Sequence, residues 1–229
     1  MKRGKKYQKV TEKILDSAVS LKNAVENVKK LSYSKFDGTI ELHLVTILPK
    51  DKDPKSIKGS VSLPYMESKS SRIAVAAPAH LEKTAQEAGA DIFKFDDLME
   101  GIKAGKIDFD ILLATPDMMA QLAVHGKALG PKGLMPNPKN GTVVAPDKLA
   151  EVVGEFKRGK LVYKADAAGG IHVAVGKISY TNEKIEANVK EMVTAVVSLL
   201  GKSKEYVIRK AFLAPTMGPS VAFDIKLMD

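Results

Sequence analysis

The 229-residue sequence contains no cysteine and no tryptophan, and only 6% of its residues are aromatic. Without cysteine, the chain can form neither a disulfide framework nor a thiolate metal site. No apolar run reaches the length of about 20 residues that a membrane-spanning helix needs, and the basic first six residues lack the apolar segment of a signal peptide. We therefore expect a cytoplasmic protein with no membrane partner.

Motifs of catalysis and cofactor binding are also missing. The four histidines, His43, His80, His125 and His172, do not have the spacing of metal ligands, and there is no nucleophile elbow. The glycines between 126 and 133 lack the Gly-Lys-Ser/Thr end of a phosphate-binding loop. We expect no catalytic residue, no metal and no cofactor. An α/β enzyme that binds a nucleotide or phosphorylated metabolite at its strand ends remains the alternative.

Positive charge is in excess, with a net charge of +9, but it is unevenly distributed. Residues 1–66 hold fourteen Lys and Arg against seven Asp and Glu, and residues 158–229 hold eleven against seven, whereas residues 67–157 sum to −2. A chance imbalance is one explanation. A polyanion-binding domain built from both ends of the chain accounts for the whole distribution.

The spacing of apolar residues changes twice along the chain. Near the start, Ser20 precedes a helical pattern that ends near Ser32, and residues 39–47 then alternate between apolar and polar. Between Arg72 and Lys157, short apolar strands alternate with helices, as in α/β proteins. After Arg158, alternating strands return. We predict strands at 161–164, 171–179, 206–214 and 221–227, with a long helix at 182–200.

This pattern predicts a split α+β domain, residues 1–66 and 158–229, with an α/β domain, residues 67–157, inserted in it. The inserted part is predicted to contain parallel strands at 73–77, 92–93 and 109–114. The exposed segment Glu67–Ser71 and the return segment Lys157–Lys160 are expected to connect the two domains. Helices are expected near 80–88, 97–104, 116–124 and 147–156.

Two motifs rich in glycine and proline are the most unusual features, Gly130–Thr142 and Thr216–Ser220. With Lys35–Asp37, Gly59–Pro64 and Gly170–His172, they make the sequence resemble the L1 (uL1) family of bacterial large-subunit ribosomal proteins over nearly its whole length. The resemblance implies a split α+β domain formed by both termini and an inserted Rossmann-like, three-layer α/β domain.

Residues expected on the open face of the terminal domain have the chemistry of RNA recognition. Lysines neutralise phosphates, an exposed Phe can stack on an unpaired base, and hydroxyls can bond a ribose or base edge. Taken singly, Phe36 also suits a core, a histidine suits a structural hydrogen bond, and the 216–220 corner suits an ordinary turn. The resemblance carries RNA binding over to Lys35, Phe36, Thr39, Glu41, Thr216, Met217 and Gly218, and we extend the surface to His172, Lys177 and Ser220.

The Gly130–Thr142 motif predicts a rigid, shaped loop, because its prolines fix φ and its glycines allow close approach. Its charges are both positive. We consider contact with RNA, with tRNA or with the other domain, and a purely structural loop is equally open. The residues that would make such contacts are Gly130, Lys132, Gly133, Asn137 and Lys139.

The resemblance implies a structural ribosomal protein that is not an enzyme. It would bind large-subunit (23S) rRNA at the mobile stalk, contact E-site tRNA and assist its release, and repress translation by binding its own operon mRNA. It would be a monomer outside the ribosome. An RNA-binding regulator that never enters the ribosome would need the same surface chemistry and remains an alternative.

Overall fold

A computed structural model of the chain describes residues 4–11, 18–47, 54, 57–66, 72–201 and 203–228. They belong to two compact units. One, the split unit, combines residues 1–66 with 163–229, and the other, the inserted unit, comprises residues 67–162. The second division follows Val162, whereas the sequence predicted it after Lys157. The expected connection Glu67–Ser71 lies outside the described residues.

Nine α-helices and eight strands are found in the described part of the chain. None of these helices has the length and apolar character that crossing a membrane requires. The helices are α1 (Lys5–Thr11), α2 (Leu21–Leu31), α3 (Glu82–Glu87), α4 (Phe95–Lys103), α5 (Met119–Ala123), α6 (Gly126–Leu129), α7 (Leu149–Lys157), α8 (Asn182–Leu200) and α9 (Lys204–Val207). The strands are β1 (Thr39–Thr46), β2 (Lys58–Ser62), β3 (Ile73–Ala76), β4 (Ile111–Ala114), β5 (Lys160–Lys164), β6 (Gly170–Lys177), β7 (Ile208–Pro215) and β8 (Val221–Phe223).

Helix α2 forms where its apolar spacing predicts. The Ser20 side chain accepts a hydrogen bond from the N–H of Asn23 at 3.5 Å, which satisfies one of the free donors of the first turn. Every apolar residue at helical spacing is buried, and the helix packs against β7 and β8. The buried residues are Leu21, Ala24, Val25, Val28 and Leu31.

The split unit contains a four-stranded sheet in the order β6-β1-β7-β8, with all neighbours antiparallel. Strand β1 lies inside the sheet, and its residues Ile40, Leu42 and Leu44 are buried. Helix α8 packs against β6 and α2 against β7 and β8. The alternation predicted for β1 places Thr39, Glu41 and His43 on the opposite face, which we call the open face.

The inserted unit is built on parallel strands with a core on each side. Strand β3 pairs with β4, and single parallel bridges add Ile92 beside Ala74 and Val143 beside Ala114. Ile73 and Val75 pack with residues of α3 and α7, and the alternate residues of β3 pack with α4 and α5. The mixed α/β fold is therefore as predicted, although the bridge at Val143 was not.

Several predicted element ends were wrong. Helix α4 begins at Phe95, two residues before Asp97, and three helical segments of the inserted unit begin as 3-10 turns at Ala79, Pro116 and Pro146. Residue Tyr206 lies in α9, so the following strand begins at Ile208. Strand β8 ends at Phe223, because the Asp224 side chain accepts from the N–H of Lys226 and caps a 3-10 turn.

Candidate nucleic-acid interface

The corner after β7 has an unusual backbone. The N–H of Gly218 donates to the Pro215 carbonyl at 3.0 Å and closes a turn in which Met217 has a φ of 65°. Among the described residues, Met217 is the only non-glycine with a positive φ, and its residue surface is 64% exposed. A side chain on Gly218 would place its Cβ 2.4 Å from Cγ of Pro215. The corner therefore requires glycine there and displays the Met217 side chain.

The hydroxyl of Thr216 joins this corner to β1. Its Oγ1 accepts a hydrogen bond from the N–H of Thr39 at 2.9 Å and donates to the Thr39 carbonyl at 3.1 Å. The backbone N–H of Thr216 donates to the same carbonyl at 2.9 Å. Because the hydroxyl already donates its proton to the Thr39 carbonyl, it can offer RNA only an oxygen lone pair. The Thr216 side chain therefore has a structural role, since its hydrogen bonds hold the corner against β1.

Lys35 and Phe36 lie in an exposed bend between α2 and β1, and Phe36 is 55% exposed. The core position considered for Phe36 is therefore wrong. The carboxylate of Asp37 accepts from the backbone N–H of Ser179 at 3.0 Å and from its hydroxyl at 2.8 Å, which ties the bend to the residues after β6. These bonds hold an exposed aromatic ring on a fixed backbone.

The bend and the corner are neighbours. A Cβ added to Gly38 would lie 3.5 Å from Cβ of Thr216 and 3.0 Å from Cδ1 of Ile178. The N–H of Ile178 donates to the Gly38 carbonyl at 2.9 Å. The bend, the corner and the end of β6 thus meet at one end of the sheet. We call this end of the open face the binding edge, comprising residues 35–39, 177–179 and 216–218.

Strands β1 and β6 bring the predicted polar residues side by side. Thr39 is opposite Lys177 and His43 is opposite His172, with a bulge between Ile40 and Glu41. The Lys177 ammonium lies 4.0 Å from the Asp37 carboxylate. Glu41 and His172 are exposed, so both are accessible from the open face. Ser220 is also exposed, in the link between the corner and β8.

The sequence prediction omitted two residues of the open face that lie on β7. Phe212 is opposite His43, and Lys210 is opposite Val45. Phe212 is half-buried and Lys210 is exposed. Alternation with the buried residues Ala211 and Leu213 could have identified both, had it been applied to this strand as it was to β1.

The Gly130–Thr142 loop belongs to the inserted unit and is organised around its own contacts. The Thr142 hydroxyl accepts from the N–H of Asn137 at 2.8 Å and donates to its carbonyl at 3.1 Å. The Asn137 side-chain oxygen accepts from the N–H of Lys139 at 2.9 Å and caps a 3-10 turn. Asn137 thus has a structural role. The two lysines of the loop, Lys132 and Lys139, are exposed.

Gly130 and Gly133 have different backbone requirements in this loop. A Cβ on Gly130 would lie 2.7 Å from the Gly126 carbonyl oxygen, which excludes a side chain. Gly133 has a φ of 72°. Both residues shape the backbone, which agrees with the rigid loop expected from the sequence.

Two titratable groups at the open face, His43 on β1 and Asp166 in the turn before β6, have shifted pKa values. Burial lowers the pKa of His43, and the charge of His172 lowers it further, whereas Glu41 raises it. The pKa of Asp166 is lowered chiefly by the hydrogen bond from the N–H of Gly170, against a smaller effect of burial. Across the described residues, no group of three or more His, Asp or Glu side chains is arranged to hold a metal ion.

Comparison with known proteins identifies the family. The model of the ribosomal protein L1p/L10e family matches residues 28–219. The chain is 39% identical over 226 residues to the large ribosomal subunit protein uL1 of Dehalococcoides mccartyi strain CBDB1, covering 97% of this chain and 95% of that protein. It is also 39% identical over 231 residues to the protein of the same name from Fervidobacterium nodosum, covering 99% and 97%. These names are those of ribosomal proteins and not of enzymes, and the chain belongs to the ribosomal protein L1p/L10e family.

Proposed function

We propose that this chain binds large-subunit (23S) rRNA at the mobile stalk of the ribosome, through its binding edge and the open face beside it. Lys35 and Lys177 supply charge for phosphates, and Phe36 offers a ring for an unpaired base. Glu41 can accept from base amino groups. Membership of the family supports rRNA as the ligand, because the relatives are named as proteins of the large ribosomal subunit.

The observation that carries the proposal is the conformation of Met217. A non-glycine residue in the left-handed region costs roughly 1–2 kcal/mol, and such strain persists mainly where a site needs it. Here the strained residue is apolar and 64% exposed, and it lies between Thr216, which is hydrogen-bonded to β1, and Gly218. In a turn that only joined two strands, glycine at position 217 would avoid this strain. The retained side chain supports a contact with a bound partner.

Two substitutions of Met217 test this role. Met217→Ala and Met217→Gly should each weaken binding of the full chain to 23S rRNA by about 1–3 kcal/mol, because an apolar contact is lost. The free energy of unfolding should be about 1 kcal/mol higher for the glycine variant than for the alanine variant, since glycine tolerates the positive φ. Filter binding and chemical denaturation measure the two effects.

Val124→Ala is the matched control, since Val124 is an apolar side chain of the inserted unit that is 78% exposed. Its affinity for rRNA should equal that of the unchanged protein. If both Met217 variants also bind like the unchanged protein while remaining folded, the corner is an ordinary turn and the proposed interface loses its central contact.

The finer activities belong to the same proposal. On the stalk, the protein would contact E-site tRNA and assist its release, and it would be a cytoplasmic monomer outside the ribosome. The same surface would bind a similar fold in its own operon mRNA and repress translation. One surface can bind both RNAs if they share a fold. If rRNA binds more tightly than the mRNA, the protein would repress translation only when free rRNA is scarce.

The RNA that copurifies with the full chain distinguishes these readings. We expect large-subunit rRNA together with a smaller amount of the protein's own mRNA, and association with large subunits that survives high salt. A single mRNA without rRNA would indicate a regulator outside the ribosome. Recovery of no RNA, with a nucleotide bound instead, would favour the α/β enzyme.

A further inference from the structure

Two histidines form a direct pair at the middle of the open face. His43 on β1 and His172 on β6 are opposite each other in the register, and their Nδ1 atoms are 2.8 Å apart. The ring centroids are 5.0 Å apart and the ring planes are inclined by 60°. At this distance one Nδ1 must carry a proton and the other must accept it. The two rings therefore share one hydrogen bond.

Carboxylates lie at both outer ends of this pair. Nε2 of His172 is 3.4 Å from Oδ2 of Asp166, and Nε2 of His43 is 3.8 Å from Oε2 of Glu41. The other oxygen of Asp166 accepts from the N–H groups of Ala168 and Gly170 at 2.8 and 2.7 Å, which fixes this carboxylate. The result is a row of carboxylate, imidazole, imidazole and carboxylate along the open face.

The number of protons on the two rings follows from this geometry. A neutral pair has two N–H groups, of which one lies between the rings, so one Nε2 presents a lone pair to a carboxylate. With one extra proton, both Nε2–H groups point to carboxylates and the central hydrogen bond is kept. With a second extra proton, two N–H groups would oppose each other at 2.8 Å. The row thus favours a single positive charge and opposes a second one.

Other groups near the pair come from each neighbouring strand. Strand β1 contributes Glu41, the turn before β6 contributes Asp166, and β7 contributes Lys210, which is opposite Val45 and diagonal to His43. Phe212, opposite His43, is uncharged. Lys210 adds a positive charge on the same face. The pKa of His43 itself is lowered by burial and by the charge of His172, against the effect of Glu41.

We propose that His43 and His172 act as one proton-binding unit of the RNA-binding face: the pair takes up one proton in weakly acidic solution, and RNA affinity therefore rises as the pH falls. This inference rests on the function proposed above. A proton added to the pair makes the open face more positive, so a polyanion binds more tightly. A second proton, in more acidic solution, separates the rings.

Binding of the full chain to 23S rRNA between about pH 8 and pH 5.5 tests the unit, because histidine titrates in this range. We expect the unchanged protein to gain about threefold to tenfold in affinity, as one added charge among several phosphate contacts would give. His43→Gln and His172→Gln should each keep most of this gain but shift the pH at which it occurs, because the remaining histidine still takes up one proton. The double variant should lose the gain, by far more than the two single effects added together, since the pair binds only one proton as a unit.

His80→Gln is the matched control, because His80 lies in a 3-10 turn of the inserted unit and is exposed. Its pH profile should equal that of the unchanged protein. The proposal is overturned if the double variant follows the same profile as this control, or if the effects of the two single variants simply add up to that of the double variant.

Ring-nitrogen NMR signals of the free protein provide a readout that needs no RNA. In His172→Gln, His43 should take up its proton at a higher pH than in the unchanged protein, because a neighbouring positive charge has been removed. Independent titration of the two rings, with normal RNA binding, would refute the paired unit alone. A coupled titration with no rRNA binding at any pH would instead refute the function proposed above, and with it the role of the pair in RNA affinity.

Discussion

The two units of the chain use their sheets in opposite ways. In the inserted unit, all four residues of β3 are buried, because helices pack on both faces of the parallel strands. In the split unit, β1 buries one face and exposes polar side chains on the other. The split unit, residues 1–66 and 163–229, holds twenty-three Lys and Arg against fourteen Asp and Glu, whereas residues 67–162 hold thirteen of each. The whole net charge of +9 therefore belongs to the unit with the open face.

This difference shows how one chain separates two tasks. A sheet covered on both faces provides stability but leaves no strand side chain for a ligand. An antiparallel sheet with one uncovered face keeps a core and still offers a row of polar groups. Charge and geometry together support the proposal that the split unit binds the polyanion.

The largest expected effect comes from separating the units. A protein in which Met66 is joined to Tyr163 through a short Gly-Ser linker should bind 23S rRNA within about tenfold of the full chain, since nearly all phosphate contacts remain. Residues 67–162 alone should give no measurable binding under the same conditions. Gel-shift titrations measure both. Binding by the inserted unit and none by the joined termini would reverse the assignment.

A smaller effect should separate two threonines with the same local role. Each hydroxyl bonds both backbone groups of one other residue. The Thr216 hydroxyl accepts from the N–H of Thr39 and donates to its carbonyl, and the Thr142 hydroxyl does the same with Asn137. Thr216→Val and Thr142→Val should each lower the free energy of unfolding by about 1–3 kcal/mol, because a backbone N–H loses its acceptor. Only Thr216→Val should also weaken rRNA binding. Denaturant melts and binding curves give the two values, and equal binding by both variants would contradict a role of the corner in recognition.

The smallest expected effect concerns single exposed lysines. Lys35→Ala should reduce the slope of log affinity against log salt concentration by about 0.7–0.9, the share of one phosphate contact. Lys139→Ala removes an equal charge from the loop of the inserted unit and should leave this slope unchanged. Titrations at several salt concentrations measure both slopes. A similar reduction in both variants would show that the loop also contacts the rRNA.

Local patterns predicted the elements whose side chains repeat regularly. Helix α2 and the two faces of β1 follow from apolar spacing, and residues 35–36 and 216–218 were singled out by motifs. The hydrogen bonds between Thr216 and Thr39 could not be predicted, because the two residues are 177 residues apart and no local pattern links them. The bridge at Val143 was missed because a single residue pair has no periodicity.

The sequence suggests that the Thr216 hydroxyl bonds a ribose or base edge, and the hydrogen bonds to Thr39 leave one oxygen lone pair for such a contact. A hydroxyl in a Gly- and Pro-rich turn has few backbone N–H groups nearby in sequence from which it can accept. Its hydrogen bonds therefore depend on which strand lies beside the turn. Strand β1 is that neighbour, and only the fold reveals it. The His43 and His172 pair was hidden for the same reason, since it arises from the register of β1 against β6.

The position of β1 in the sheet has a consequence for synthesis of the protein. Both neighbours of β1, the strands β6 and β7, begin at residue 170 and residue 208, so β1 leaves the ribosome long before either of them. The inserted unit, residues 67–162, is complete by then and can fold first. Until the last quarter of the chain emerges, β1 lacks both of its neighbouring strands, and the open face is incomplete. Completion of the open face is therefore among the last events of its folding.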